Sequence, residues 1–380
     1  MHRKALPSKS PDRSQVHKTW LDRLKDWRVR WLSSPRFQKF AADFPLTRPI
    51  AKANASASFD LCNGFVYSQI LLACVELDLF SLLEEDALTL TAISNSIGLP
   101  EDGTDRLLKG AIALKLIESR SQDRFGLGPA GAALLGNPGV FDMIRHHRRF
   151  YADLLDPVSL LKQRTKDTQL AQFWTYAASD EPKDSTPLAS KAYSDLMSRT
   201  QGFIAADILD SYDFKNHGKL LDVAGGDGTF LRAVAARYPD LDLALLDLPQ
   251  VSEIAKEKFK AANIRADIFS GNMFEDDWPK SCDAISLVRV LHDHDDEPVR
   301  AILKKARTAL APGGRLIIAE PMADDARSGD AYFGLYLWAM ASGRPRSLNT
   351  LKAMLEEAGF CQIQYVKTRQ PLLVRLISAS

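Results

Sequence analysis

The stretch KLLDVAGGDGTFLRAVAARYPDLDLALLDLP, residues 219–249, holds two apolar strand-like runs separated by a glycine-rich turn and a helical segment. Strand, helix and strand in that order signal a parallel α/β sheet. Ligands of such sheets bind at the carboxyl ends of the strands. Gly225, Gly226 and Gly228 stand at the first such end, where the lack of a side chain lets the backbone turn tightly and approach a ligand. Asp247 closes the second run with Leu248 beside it, where a carboxylate can accept hydrogen bonds from ribose hydroxyls. A dinucleotide fingerprint needs a further glycine three places after Gly228, and that position is Leu231. Asp222 and Asp227 would repel a pyrophosphate, whereas they stabilise a ligand carrying a sulfonium and an ammonium. The loop therefore points to S-adenosylmethionine as cofactor, held by Asp222, Gly225, Gly226, Asp227, Gly228, Asp247 and Leu248.

The alternation begins near residue 206 and continues through VSEIAKEKFKAA (251–262), IRADIFSGN (264–272), CDAISLVRVL (282–291) and GRLIIAEP (314–321). The tail AGFCQIQYVKTRQPLLVRLISA (358–379) has two strand-like runs that could close the sheet as a hairpin. Upstream the pattern is mostly helical, and residues 88–135 read as a winged helix-turn-helix. With five basic and five acidic side chains that module has no electrostatic footprint for phosphate, so no nucleic acid is expected and dimerisation is its reading. At 380 residues two domains are the default. We divide the chain into a basic amphipathic segment (1–40), a helical winged-helix domain (41–205) and a Rossmann-like α/β domain (206–380).

The formal charge of +1 hides an asymmetry: residues 1–40 carry eleven Lys/Arg against three Asp. Trp20, Leu24, Trp27 and Trp31 form a helical stripe with Arg23, Lys25, Arg28 and Arg30 on the other sides. Such a helix suits an anionic membrane surface, or docking on its own protein or a dimer mate. Four scattered cysteines fit a reducing cytoplasm. The apolar stretch Phe59 to Leu83 is broken by Asp60, Asn63, Gln69, Glu76 and Asp78, which reads as a buried helix and not a membrane span.

LLDVAGGDGTFLRAVAARYPDLDLALLDLPQV, SGNMF, VRVLHDHDDE, LAPGGRLIIAEP and EEAGF occur in this order. Together they resemble the caffeate and acetylserotonin type O-methyltransferases, a family with a winged-helix dimerisation domain. The resemblance covers roughly residues 60–380. FDLCNGFVYSQILLACVELDLF, SPRFQKFAADFPLTRPIA and ALLGNPGVFDMIRHHRRFYADL look like the bacterial carotenoid branch, whose members methylate the tertiary hydroxyl of acyclic carotenoids of the demethylspheroidene or hydroxyneurosporene type. The bacteriochlorophyllide C-20 methyltransferases are similar relatives and stand as the alternative, together with O-methylation of a hydroxyl on another small molecule.

The resemblance implies a homodimer and an apolar acceptor. It makes His292 the general base, with Glu320 as the acid that orients it. Asn272, Met273 and Phe274 would cover the adenine, Arg289 would supply a further cofactor contact, and Met197 would lie near the acceptor. The family's second acidic partner of the histidine corresponds to Leu348 here, which leaves a greasier pocket. HDHDD (292–296) concentrates potential metal ligands, yet consecutive residues at a strand end point in alternating directions, so no metal site is expected. Asp295 and Asp296 read instead as the cap and first-turn acids of the next helix. His146 to Arg149 read as a solvated or interface face.

Overall fold

The computed structural model describes residues 18–174, 200–323 and 328–380, so the expected acceptor neighbour Met197 lies outside the described residues. The chain divides into two compact units, residues 1–71 and 72–380.

In the first unit the tryptophan stripe forms a helix, Trp20–Leu32. It starts where Thr19 and Asp22 cap each other's backbone amides. A second helix, Pro35–Asp43, begins with proline at its first turn, where no amide partner is lost. Neither helix has a buried residue.

A 29-residue helix, Arg48–Glu76, begins in this unit, and only Leu72, Cys74 and Val75 near its end are buried. The expectation of a buried helix from Phe59 onward is therefore corrected, since Phe59, Leu61 and Phe65 are 64%, 87% and 70% exposed. Their apolarity marks a surface, not a core. By length and composition alone this helix could cross a membrane.

In the second unit the winged module forms as read. Strands β1 (Leu88–Thr89), β2 (Ile117–Arg120) and β3 (Arg124–Leu127) make an antiparallel sheet of order β1-β3-β2. Helices Leu90–Ile97 and Glu101–Ala113 lie between β1 and β2 in the chain. Thr89 caps the first of these, and Gly98 ends it in the left-handed region.

The larger sheet has seven strands: β4 (Lys219–Val223), β5 (Asp242–Asp247), β6 (Asp267–Ser270), β7 (Cys282–Val288), β8 (Leu310–Glu320), β9 (Gln364–Val366) and β10 (Arg375–Ala379). Their order is β6-β5-β4-β7-β8-β10-β9. β4 to β8 run parallel, while β10 pairs antiparallel with β8 and with β9, the hairpin that the tail suggested.

Both faces are covered, so the central strands are apolar at consecutive positions. Leu221, Leu246, Ile285 and Leu287 belong to one core with residues of helices Asp296–Ala309 and Leu348–Glu357. Leu220, Leu243, Leu245 and Ala284 belong to the other, with residues of helices Thr229–Arg237 and Pro249–Ala261. Strand order reverses at β4, so the ends of β4 and β7 flank the crevice at which open α/β sheets bind their ligands.

Candidate active site

Past β4 the chain turns through Ala224 at φ 52°, Gly226 at 61° and Gly228 at 76°. The Ala224 amide donates to the Leu246 carbonyl at 2.7 Å, which ties the loop to β5. Asp247 then holds the loop: Gly226 N and Leu248 N each donate to its carboxylate at 2.7 Å. Asp222 faces Ser286 across the β4–β7 pair, and the serine hydroxyl donates to its Oδ1 at 2.6 Å.

The other oxygen of Asp222 is buried without a hydrogen-bond partner among the described residues. A Cβ on Gly225 would stand 2.4 Å from that oxygen, so glycine keeps the space in front of it open. Burial pushes the Asp222 and Asp247 carboxyls up to about 7. A buried acid with a bare oxygen fits a cationic ligand group.

Asp227 differs from its sequence reading. Thr229 donates to it from its amide and hydroxyl, and the Lys258 ammonium pairs with its other oxygen. Its charge is committed to the loop. Asn272 is buried, and its Oδ1 accepts from Phe274 N at 2.9 Å, closing the turn after β6. Met273 and Phe274 pack half-buried against the core, with the Phe274 ring edge-on to His294 at 5.1 Å.

His292 lies beyond the strand end, not on it. β7 stops at Val288 because Arg289 takes φ 58°, and residues Leu291–Asp293 form a 3-10 turn. Val290 N, Leu291 N and His292 N all donate to the Glu320 carboxylate, at 3.0, 2.6 and 3.2 Å. His292 Nδ1 meets the same carboxylate at 2.5 Å. Since an ionised carboxylate only accepts, Nδ1 carries a proton, and in the neutral imidazole Nε2 is left with a lone pair. Nε2 lies 3.2 Å from Asp293 Oδ1, a second acid that sequence reading missed. Leu348, where the family acid was expected, packs instead on the apolar core. Burial pulls the His292 imidazole down, but the Asp293 and Glu320 charges outweigh it and hold it above the ordinary histidine value.

The remaining residues of HDHDD are fixed by arginines. Asp295 occupies the N-cap position but makes no capping bond there, and instead accepts from Arg164 at 3.0 and 3.1 Å. Asp296 accepts from Arg346.

His292, Arg289 and Asp293 open onto a cavity of about 280 Å³, walled by Val140, Met143, Phe203, Phe333, Leu337 and Met340 among others. Arg289 donates from Nη1 to the Thr200 hydroxyl at 3.3 Å on this cavity's rim. His147 also lines it and pairs with the Tyr332 hydroxyl at 2.7 Å, while His146 is buried against Tyr336. The reading of this cluster as a solvated or interface face is thus corrected for His146 and His147, which the chain's own tyrosines cover. Periodicity in one helix does not reveal which tertiary partner will cover it.

Residues 151–361 match the O-methyltransferase domain family, and residues 59–137 match the O-methyltransferase dimerisation domain family. The chain is 40% identical to the demethylspheroidene O-methyltransferase of Rhodobacter capsulatus, with 91% of this chain and 87% of that protein covered. It is 39% identical to the enzyme of that name from Cereibacter sphaeroides, over 92% and 93%. Among solved structures, a mitomycin 7-O-methyltransferase shares the fold with a TM-score of 0.72 at 24% identity, over 87% of this chain and 99% of that one.

Gly343 sits at φ 77° with the His292 carbonyl 2.0 Å from where a Cβ would be. Gly343→Ala is expected to lose about 1–3 kcal/mol from strain and clash, lowering Tm by several degrees in thermal denaturation. Gly334→Ala, with open space at its Cβ, should not lower it. Equal midpoints for the two variants would refute the packing described.

Proposed function

The chain belongs to the O-methyltransferase family that carries a dimerisation domain, and from this premise we propose how its site works and on what. It is an S-adenosylmethionine-dependent O-methyltransferase and a homodimer. The acceptor is the tertiary hydroxyl of an acyclic carotenoid of the demethylspheroidene type, supported by 40% identity over most of the chain. The alternative acceptor, a bacteriochlorophyllide, has no observation in its favour.

The cofactor, when bound, supplies a methyl group on a sulfonium. Asp222 would take its ammonium on the bare oxygen, with Gly225 leaving the room. Asp247 would accept from its ribose, because each carboxylate oxygen retains a lone pair after taking one amide. Gly226, Gly228, Asp227 and Leu248 keep the loop in this shape, and Asn272, Met273 and Phe274 would border the adenine. Met197 remains a proposed acceptor neighbour.

The single observation that carries the chemistry is His292, which has Nδ1 locked to Glu320 at 2.5 Å and lines a mostly apolar cavity. Nε2 would accept the hydroxyl proton while the acceptor oxygen takes the methyl group and the sulfur, its bond to that carbon broken, leaves as a neutral thioether. An aliphatic tertiary alcohol is too weak an acid to ionise beforehand, so proton loss accompanies bond formation. Glu320 stabilises the imidazolium that results.

The test is a mass-spectrometric acceptor screen in detergent with S-adenosylmethionine. A one-methyl gain on hydroxylated acyclic carotenoids is expected. A gain on chlorophyllide alone would overturn the acceptor.

His292→Gln should lower kcat about 100-fold or more. A base must be neutral, so kcat at saturating cofactor falls as pH drops through the His292 value, with a midpoint above 6.5. Asp293→Asn should move that midpoint down. The kcat/KM for S-adenosylmethionine carries a second limb near 7, where Asp222 must ionise to attract the cation. An unchanged pH profile in His292→Gln would exclude the base.

We further infer a cytoplasmic enzyme that touches the membrane through residues 16–32, because its acceptor is hydrocarbon over most of its length. Trp20, Trp27 and Trp31 are exposed beside Arg23, Lys25, Arg28 and Arg30, the pairing that suits an anionic interface. Flotation with anionic liposomes should recover the enzyme. Replacing Trp20, Trp27 and Trp31 together by Ser should reduce recovery without lowering Tm, and undiminished flotation would sink the idea.

A further inference from the structure

The turn that bears His292 is gripped on its carbonyl side by one short segment, residues 342–346. Arg346 Nη1 donates to the Leu291 carbonyl at 2.8 Å and Nη2 to the His294 carbonyl at 2.7 Å. Arg344 N donates to the His292 carbonyl at 2.9 Å, and the Ser342 hydroxyl to the Asp293 carbonyl at 2.6 Å. Four consecutive carbonyls around the histidine are therefore held from one side, while Glu320 gathers three amides from the other.

Arg346 supplies two of those four grips from a buried side chain. Its own direction is set by Asp296, whose Oδ1 accepts from Nε at 3.0 Å and from Nη2 at 2.8 Å. A planar fork donates from three separate nitrogens in fixed directions, whereas a lysine ammonium radiates its three donors from a single point on a flexible stem and cannot span the same acceptors. Arg346 does not line the cavity beside His292. It acts on the backbone that aims the base.

We infer that Arg346 is a positioning residue for methyl transfer, holding the His292 turn so that Nδ1 stays on Glu320 and Nε2 faces the acceptor. The inference rests on His292 being the base. Losing the fork frees the Leu291 and His294 carbonyls, and the imidazole drifts relative to both partners. Misplacement of a reacting group by about 1 Å is enough for a loss on the order of 100-fold.

The groups facing His292 are Asp293 and His294 on its own turn, Glu320 on β8 and Arg289 at the end of β7. Arg346 holds that turn from behind, and Tyr332, Tyr336 and His147 stand on the cavity wall. Arg346→Lys preserves the positive charge, so any pH shift reports geometry. Loosening the Glu320 contact lets burial dominate, which lowers the His292 midpoint.

The experiment measures kcat, the KM for S-adenosylmethionine and the kcat–pH profile of the full-length enzyme with its carotenoid acceptor. The variants are Arg346→Lys, Arg346→Gln, Ser342→Ala, His292→Gln and the double variant His292→Gln/Arg346→Lys. Arg346→Lys should lower kcat at least 10-fold, leave KM within about threefold and move the acidic limb to lower pH. Ser342→Ala, missing one grip, should shift in the same direction by less. In the His292→Gln background Arg346→Lys should have little further effect, since its target is gone.

An equal fractional loss in both backgrounds, or a wild-type midpoint in Arg346→Lys, overturns the inference and leaves Arg346 a stabilising residue only. If Arg346→Gln does not fold, Arg346→Lys and Ser342→Ala still decide. Full activity in His292→Gln would overturn the base reading itself, whereas an inactive His292→Gln beside a normal Arg346→Lys would overturn the positioning role alone.

Discussion

Everything in the site is arranged around one buried carboxylate. Glu320 accepts from the amides of Val290, Leu291 and His292 and from Nδ1 of His292. Taking an ionised carboxylate out of water costs several kcal/mol unless its lone pairs are met, and four donors meet them here. Three successive amides can converge on one carboxylate only if the strand stops and curls. This is why β7 ends at Val288, why Arg289 takes the left-handed region, and why a 3-10 turn follows. The parallel register of Val288 with Ala319 brings Glu320, the next residue, under that turn. A slip of one residue would aim its side chain through the opposite face of the sheet and leave the histidine without its proton-holding partner.

The cofactor loop applies the reverse principle. Two acids close together in sequence have opposite fates. Asp227 is neutralised by Lys258 and engaged by Thr229, so it shapes the loop. Asp222 receives one hydroxyl and keeps one bare buried oxygen, a state that water-free surroundings penalise. A cation on that oxygen would remove the penalty, so the same burial that raises the acid toward neutral pH would favour the positively charged ligand proposed here. A phosphate-bearing ligand would meet repulsion at the same point.

The α/β order, the glycine loop and the winged module were legible because each is written in local periodicity and turn chemistry. His292 and Glu320, the proposed base and its partner, were picked out through their motifs and do meet at 2.5 Å, although His292 was read at the end of a strand that in fact ends four residues earlier. Asp293, Gly343 and Arg346 were not legible as site residues. Arg346 reaches a turn more than fifty residues away in sequence, and nothing in GRPRS announces which carbonyls it will meet. Asp295 looked like a helix cap because local rules know nothing of Arg164, its tertiary partner. Helix Arg48–Glu76 was misread for a related reason: apolar composition says that a surface wants cover, not whether the cover comes from the same chain. With dimerisation-family residues beginning at 59, the exposed Phe59, Leu61 and Phe65 are surface of the kind that a second copy would bury.

Helix Ser328–Ala339 ties the acceptor's chemistry to this frame. Its Tyr332 and Tyr336 would make a polar wall if their hydroxyls were open to the cavity, yet Tyr332 is paired with His147, and Tyr336 with His146 and Trp174. Burial drives the His146 imidazole down to about 3 and lowers that of His147 as well, so it favours the neutral form of both. The tyrosine rings therefore face the cavity as hydrocarbon, beside Phe333, Leu337 and Met340. Arg289, His292 and Asp293 concentrate the charge at one end. An acceptor with a long apolar body and a single hydroxyl lowers its free energy in only one orientation here, with the hydroxyl toward Nε2 and the chain along the aromatic wall. A flat, multiply polar ring system would leave polar groups against that wall unsatisfied. The pairing of two histidines with two tyrosines thus serves acceptor selection as Glu320 serves the proposed base: it engages polar groups that would otherwise compete for the acceptor's hydroxyl.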